Sequence, residues 1–423
     1  MAATANYKLF TPLTLADDLV LKNRVVMSPM TRARADIQTH TPTDLQALYY
    51  EQRAGAGLII TEATTISEHS FGWIGSPALY TQEHVDAWKK VVDRVHAKNG
   101  KIFVQIWHMG RLVHPSFNAK GDVVSASDVQ LTEGHTRDAY GNEAAFVKPR
   151  PLEVDEITGI AEDFRRSAEL AKLAGFDGVE VHASGGYLVD QFLQANTNKR
   201  TDQYGGSFEN RARFLFQILD AVKTVWPANH IGVRISPNGA YGQMGNPDNY
   251  DMFTYVMKRL SAHKLAYLAI QDGFGFGYHD KGRLVTLFDA KSHFQGPVIA
   301  TNSYTRDIAE GAVRSGGADM VAFGRLYMSN PDLAERFQND WPLNPDAGYE
   351  AYWDPREGEK GYTTFPAYTE AKLSTLTIKS PVEDESPEEP KTAVVEDLAV
   401  TDEKKRSRLC PKEWGRLLRS SKA

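Results

Sequence analysis

The chain has 423 residues, 42% of them hydrophobic, enough for one large domain with extensions or for two ordinary ones. A formal net charge of -6 removes the electrostatic case for nucleic-acid binding, and the single Cys410 excludes a disulfide framework and a Cys-based metal site. No apolar run is long enough to span a bilayer, and Met1 to Lys8 lacks a charged region followed by an apolar core, so neither stable membrane insertion nor a secretory signal is expected and the placement is read as cytoplasmic.

In chain order, Leu9 to Leu15 and Leu19 to Leu21 flank Asp17-Asp18 and predict a hairpin. Arg24 to Thr31 reads as a first buried strand with Thr31 at its carboxyl end. Leu45, Leu48 and Tyr49 fall at helical spacing after Thr43, a plausible N-cap, and Gly55-Ala-Gly57 stops that helix. Tyr49-Tyr50 is read as helix surface and core. Leu58 to Thr61 is a second strand, Val85 to Val95 one face of a second helix, and Ile102 to Ile106 a third strand. A polar excursion from about Leu112 to Pro151 has no period and reads as a functional loop or cap. Ile157, Ile160, Phe164 and Ala168 mark a third helix.

The fourth strand is Gly178-Val-Glu-Val-His182, with Val179 and Val181 around Glu180, breaking at Gly185-Gly186 just before Tyr187. Further strands follow at Ile231 to Ser236, Leu265 to Ile270, Pro297 to Ala300 and Met320 to Phe323. Eight strands with helical patterns between most of them predict a (β/α)8 barrel rather than a doubly wound sheet. The barrel is expected over 1–371. Residues 372–423 read as an acidic, proline-rich linker around Pro381 to Pro390, then the basic run Lys404 to Arg408 and a short amphipathic turn at Trp414, Leu417 and Leu418.

Polar residues gather where such strands end: Thr31, Gln105, His182, Arg234, Asn302, Gly324 and Arg325. In a barrel these positions share one mouth, where chemistry is done. The loops after strands seven and eight often hold a phosphate. Asn302 and Gly324-Arg325 fall there, Gly324 permitting close backbone approach and Arg325 offering a fork of donors. His108 near Gln105 lacks partners at metal-ligand spacing, and Gly273 to Gly277 is not a dinucleotide fingerprint.

The pieces Leu9-Phe-Thr-Pro-Leu, Leu21 to Arg32, Val104 to Arg111, Gly178 to Phe192, Thr201 to Phe214, Arg234 to Pro237, Phe323 to Arg325 and Gly361 to Pro366 resemble the Old Yellow Enzyme family of flavin-dependent ene-reductases. The resemblance implies FMN as cofactor, NADPH or NADH as reductant and an electron-poor alkene as substrate. It implies that Thr31 bonds the flavin O4, that Pro29 and Met30 touch the ring through backbone, and that Gln105 bonds its pyrimidine edge. Arg234 would face N1 and O2, with Gly324 and Arg325 on the phosphate, His182 donating to the substrate oxygen and Tyr187 protonating the alpha carbon. The family usually carries His or Asn three residues after that His; Gly185 stands there, so Ser184, a Gly185 or Gly186 N–H, or water is expected to stand in. An aromatic pair near the flavin corresponds to Tyr352-Trp353, at longer spacing. A homodimer is allowed, and the tail's partner is unassigned. The alternatives are redox-neutral isomerisation, nitro or peroxide reduction on the same flavin, and a weakly catalytic flavin-binding protein.

Overall fold

The computed structural model describes residues 4–273 and 277–369. The linker, basic run, Cys410 and amphipathic turn expected beyond residue 372 lie outside the described residues, as does the centre of the Gly273 to Gly277 segment.

Among the described residues, eight parallel strands close into a barrel: β1 Val25–Met27, β2 Leu58–Ile60, β3 Ile102–Trp107, β4 Gly178–Ala183, β5 Ile231–Ile235, β6 Tyr267–Gln271, β7 Val298–Thr301 and β8 Met320–Phe323. The ladder runs from β1 round to β8 and returns to β1 through Val321 to Phe323 against Val25 to Met27. Around it stand α1 Asp44–Gln52, α2 Gln82–Ala97, α3 Val154–Leu173, α4 Phe208–Lys223, α5 Asn249–Ser261, α6 Leu287–His293, α7 Arg306–Arg314 and α8 Leu333–Asn339. Thr43 and Gln46 form a reciprocal capping box at α1, and Ser207 and Thr305 cap α4 and α7 through their side chains.

The strand period of two divides the core. Val179, Val181 and Val233 face outward and pack under the helices. Leu58, Ile60, Phe103, Tyr267 and Met320 face inward and fill the barrel, closed below by Leu19 and Leu21 of the hairpin Leu13–Ala16/Leu19–Leu21. Two glycines make room in that inner layer: a Cβ on Gly178 would stand 2.3 Å from the Phe103 ring, and one on Gly232 2.3 Å from the Tyr267 ring. With the lower layer filled by rings, the next inward positions, Gln105, Glu180 and Arg234, form a polar storey toward the carboxyl mouth.

Several expectations shift. The hairpin begins at Leu13, not Leu9, because Pro12 separates it from the 3-10 turn Lys8–Phe10. Strand β1 ends at Met27, so Thr31 lies four residues beyond it in a loop; Ser28 N–H makes the last bond to Phe323 O, and Pro29 has no N–H to continue. Tyr49 and Tyr50 are both buried, Tyr49 stacked on Tyr362 at 4.1 Å with the Arg53 guanidinium 3.6 Å above its ring. The excursion after β3 carries two small ladders, Thr136–Arg137/Glu143–Ala144 and Val124–Ser125/Arg150–Pro151. Its Leu112, Val113, Val123 and Leu131 pack with Trp107 and Tyr187.

The glycine at 232 is therefore a packing requirement. Gly232→Ala should cost about 1–3 kcal/mol of stability, typical of forcing atoms into a filled core, read as a lowered urea midpoint with unchanged slope.

Candidate active site

The polar storey is set by strand register. Glu180 of β4 lies opposite Gln105 of β3, and His182 opposite Arg234 of β5. Gln105 Nε2 donates to Glu180 Oε1 at 2.6 Å. Arg234 is buried, and its longest-reaching contact is a 3.5 Å bond from Nη1 to Ser28 Oγ. Burial lowers the guanidinium pKa and the Glu180 charge opposes that; burial likewise raises the Glu180 carboxyl, opposed first by Arg234 and then by Gln105. Glu180 Oε2 and the neighbouring Tyr267 hydroxyl are both buried without a well-aligned hydrogen bond.

Above this floor stand His182 and Tyr187, their rings edge to face at 5.0 Å, with Trp107 against both at 6.0 and 4.6 Å. Ser184 N–H donates to His182 Nδ1 at 3.3 Å, which leaves the proton of the neutral ring on Nε2. Burial, then the nearby Arg234 charge, pushes the His182 pKa down to about 3. Burial, then Tyr241, raises the Tyr187 phenol well above its ordinary value. Both groups are thus neutral proton carriers near pH 7.

The loop between them is braced from behind. Gly185 N–H donates to Ser236 Oγ at 2.7 Å, and Gly186 N–H to Asp190 Oδ2 at 2.9 Å. Ser236 Oγ itself reaches Asp190 Oδ2 at 3.4 Å, and Gln194 Nε2 donates to Asp190 Oδ1 at 2.8 Å. This corrects the expectation that a backbone N–H of Gly185 or Gly186 replaces the missing donor: both are engaged. The Ser184 hydroxyl is also spoken for, 3.2 Å from His182 Nδ1.

The loops after β7 and β8 meet at the far side. Asn302 and Ser303 both hold positive φ, 92° and 65°, a strained pair for non-glycine residues. Asn302 Nδ2 donates to Gly273 O at 2.9 Å, and half-buried Asp272 accepts from Thr301 N–H at 3.3 Å and from the Tyr304 hydroxyl at 2.5 Å, pinning the turn. Arg325 is exposed and its Nη2 donates to Ser303 Oγ at 3.4 Å. A Cβ on Gly324 would meet Met30 Sδ at 3.2 Å, so the glycine lets the β8 loop close on the segment carrying Pro29, Met30 and Thr31, all half-buried.

Arg32 secures one more piece. Buried between Tyr49 and Tyr362, it donates to the carbonyls of Tyr352, Ala351 and Gly361 at 2.8, 2.9 and 2.9 Å. Trp353 then packs edge-on to Trp73 at 5.8 Å. A narrow cleft opens at the mouth, lined by Gly185, Gly186, Ser236, Tyr241 and Asn302 among others. His108 is buried with its pKa near 3 from desolvation, and among the described residues no metal-ligating cluster exists.

The structure thus gathers Gln105, Arg234, His182, Gly185 and Tyr187 on one side of the mouth, and Asn302, Gly324 and Arg325 with Met30 on the other. Sequence reasoning missed Glu180, Asp190, Ser236, Tyr241 and Trp107. Glu180 carried a legible sign, since a charge between Val179 and Val181 must point into the barrel.

This donor set fits a flavin nucleotide. A buried cation with one long contact and an amide turned into the mouth suit an electron-rich ring edge, and the Ser303–Arg325 corner suits a phosphate. The barrel and its mouth therefore define an oxidoreductase working through a bound flavin. Residues 8–344 match the NADH:flavin oxidoreductase / NADH oxidase family, and the chain belongs to that family. It is 38% identical over 378 residues to 12-oxophytodienoate reductase 1 of Oryza sativa subsp. japonica, covering 86% of this chain and 94% of the relative. Morphinone reductase in complex with tetrahydroNAD superposes with a TM-score of 0.79 at 38% identity, over 86% of this chain and 99% of that one. The old yellow enzyme homologue from Zymomonas mobilis gives 0.80 at 36% identity, over 85% and 99%. The protein is an NAD(P)H-dependent flavin oxidoreductase of the Old Yellow Enzyme group, with FMN as cofactor. No helix among the described residues is long and apolar enough to cross a membrane.

Asp190 gives a pH test of the braced loop. Burial lifts its carboxyl to about 6 against Gln194, Gly186 and Ser236, which favour the charged form. A raised acid stabilises the fold below its unfolded pKa, and that contribution is lost as pH rises through about 6. The loss is on the order of 3 kcal/mol. Asp190→Asn should flatten the decline in urea-unfolding stability between pH 4 and 7.

Proposed function

We propose that the protein reduces the activated C=C bond of α,β-unsaturated carbonyl or nitro compounds, with NADPH as reductant. The observation that carries this reading is the pair of neutral proton carriers, His182 Nε2–H and the Tyr187 phenol, ring to ring at 5.0 Å above a cationic floor. FMN, when bound, supplies the hydride chemistry of both half-reactions. Thr31, Gln105 and Arg234 would hold its ring, where the Arg234 guanidinium would offset negative charge on the pyrimidine edge. Pro29 and Met30 would contact it through backbone, and Asn302, Gly324 and Arg325 would hold its phosphate side.

His182 donates from Nε2 to the substrate's acceptor oxygen, where charge develops. A neutral imidazole already carrying that proton needs no titration to do so. Tyr187 delivers its proton to the alpha carbon, and its raised pKa keeps that proton in place at working pH. Trp107 and the apolar side of the loop after β3 keep water from the pair.

Gly185 leaves the substrate oxygen with one side-chain donor. The loss of such a donor weakens charge stabilisation by about 3 kcal/mol, near a hundredfold in rate. With the neighbouring N–H groups engaged, the site depends on His182 and favours strongly activated acceptors such as maleimides and nitroalkenes.

Anaerobic NADPH should bleach the flavin spectrum, and an enone or maleimide should restore it; bleaching that no acceptor reverses would contradict an alkene reductase. Tyr187→Phe should slow the alkene half-reaction by about 10² to 10⁴ while leaving bleaching by NADPH nearly unchanged, as followed by stopped-flow absorbance. Gly185 has φ 64°, a conformation Asn tolerates, and its Cβ would stand 3.3 Å from Tyr187 Cε2. Gly185→Asn should tighten phenol and enone binding by about tenfold or more, the worth of one added hydrogen bond, in titrations of the charge-transfer band. Unchanged affinity and turnover would contradict a limiting missing donor.

A further inference from the structure

The most demanding group in the barrel is a carboxyl with no assigned work. Glu180 is fully buried, stands in the polar storey between the strands that carry Gln105 and Arg234, and has one oxygen bonded to Gln105 and the other beside the Tyr267 hydroxyl without a well-aligned hydrogen bond. Burying a carboxyl is expensive unless something compensates it. Valine flanks it on both sides, and an apolar residue would extend the inner layer of Phe103 and Tyr267.

The geometry points to Glu180 as a positioning residue of the flavin site: by holding Gln105 Nε2 and facing Arg234, it fixes the Gln105 amide with its carbonyl free to accept from a ring N–H and moderates the guanidinium charge beneath that ring. A side-chain amide alone has two orientations of similar energy. A carboxylate accepts only, so Nε2 must turn toward it, and the 2.6 Å contact leaves Oε1 as the atom on offer. The class of group recognised is a planar heterocycle with an N–H between carbonyls, presented edge-on to Gln105. Arg234 meanwhile has a compensating anion on its inner side, so its charge is held in the barrel rather than drawn toward solvent. This inference rests on the flavin reading of the site and adds how that flavin is oriented and tuned.

Glu180→Gln tests it in the full chain, with three readouts: the Kd for FMN by flavin fluorescence, the two-electron midpoint potential, and a double-mutant cycle with Gln105→Ala. The variant should bind FMN about tenfold to a hundredfold more weakly, the range for a hydrogen bond to a charged group. Its potential should rise by about 30 mV or more, a tenfold preference for the reduced form in a two-electron couple. In the cycle, adding Glu180→Gln to Gln105→Ala should weaken FMN binding less than twofold further, because Glu180 acts through that amide. Where Glu180→Gln does not fold, Glu180→Asp keeps the charge and withdraws it from Gln105, and should weaken FMN binding with the potential unchanged. A variant with native Kd and native potential, or additive losses in the cycle, would overturn the inference while leaving the flavin reading intact. Failure of the native chain to bind FMN would overturn both.

Discussion

Parallel register between three adjacent strands is the constraint on which the rest of the site depends. Pairing Glu180 with Gln105 and His182 with Arg234 places an amide, a carboxyl, a guanidinium and an imidazole on the inner wall within two rungs of the ladder. A slip of one residue would turn all four outward under the helices and put Val179, Val181 and Val233 inside. The register is held by what lies below: Phe103 and Tyr267 fill the space that Gly178 and Gly232 leave, so the lower layer fits in one alignment only. Apolar packing at the bottom thus fixes the polar storey at the top.

Tyr187 and the Gly185-Gly186 turn sit just beyond that rigid part, and each loop at the mouth is tied down by a polar side chain. Asp190 and Ser236 hold the Gly185-Gly186 turn, Asp272 holds the strained Asn302-Ser303 turn, and Arg32 holds the carbonyls of the 351–361 segment. Two of these anchors, Asp190 and Arg32, are ionisable groups buried at a cost, which is what a site needs if its loops are to stay fixed without further secondary structure. The same bracing explains why Gly185 cannot offer its own N–H in place of a side-chain donor. The turn's hydrogen bonds are committed to its shape.

Much of this was legible in the sequence. The alternation of short apolar runs with 3.6-residue patterns predicts the barrel, and β8 falls at Met320–Phe323 as expected, because buried parallel strands bounded by Gly and polar residues carry a clear period. His182, Gln105 and Arg234 were legible as strand-end polar residues. Thr31 was misplaced on the first strand because the apolar run hides where Pro29 ends the ladder. The neighbours of the turn were not legible: Ser236 and Asp190 are 51 and 4 residues from the glycines they bind, and side-chain to backbone bonds leave no periodic trace. Tyr50 shows the same limit, since one face of α1 looks amphipathic in isolation but packs under the C-terminal segment through Tyr49 and Tyr362.

In the proposed site one inner storey of the barrel seats the flavin and presents it to His182 and Tyr187. A crystal structure of the FMN-loaded protein with a phenol bound tests this most directly. This seating predicts the ring's pyrimidine edge against Gln105 and Arg234, the phosphate against Asn302, Gly324 and Arg325, and the phenol oxygen bonded to His182 Nε2 with no bond from Gly185. A flavin seated away from Gln105 and Arg234, or a phenol oxygen remote from His182, would contradict it.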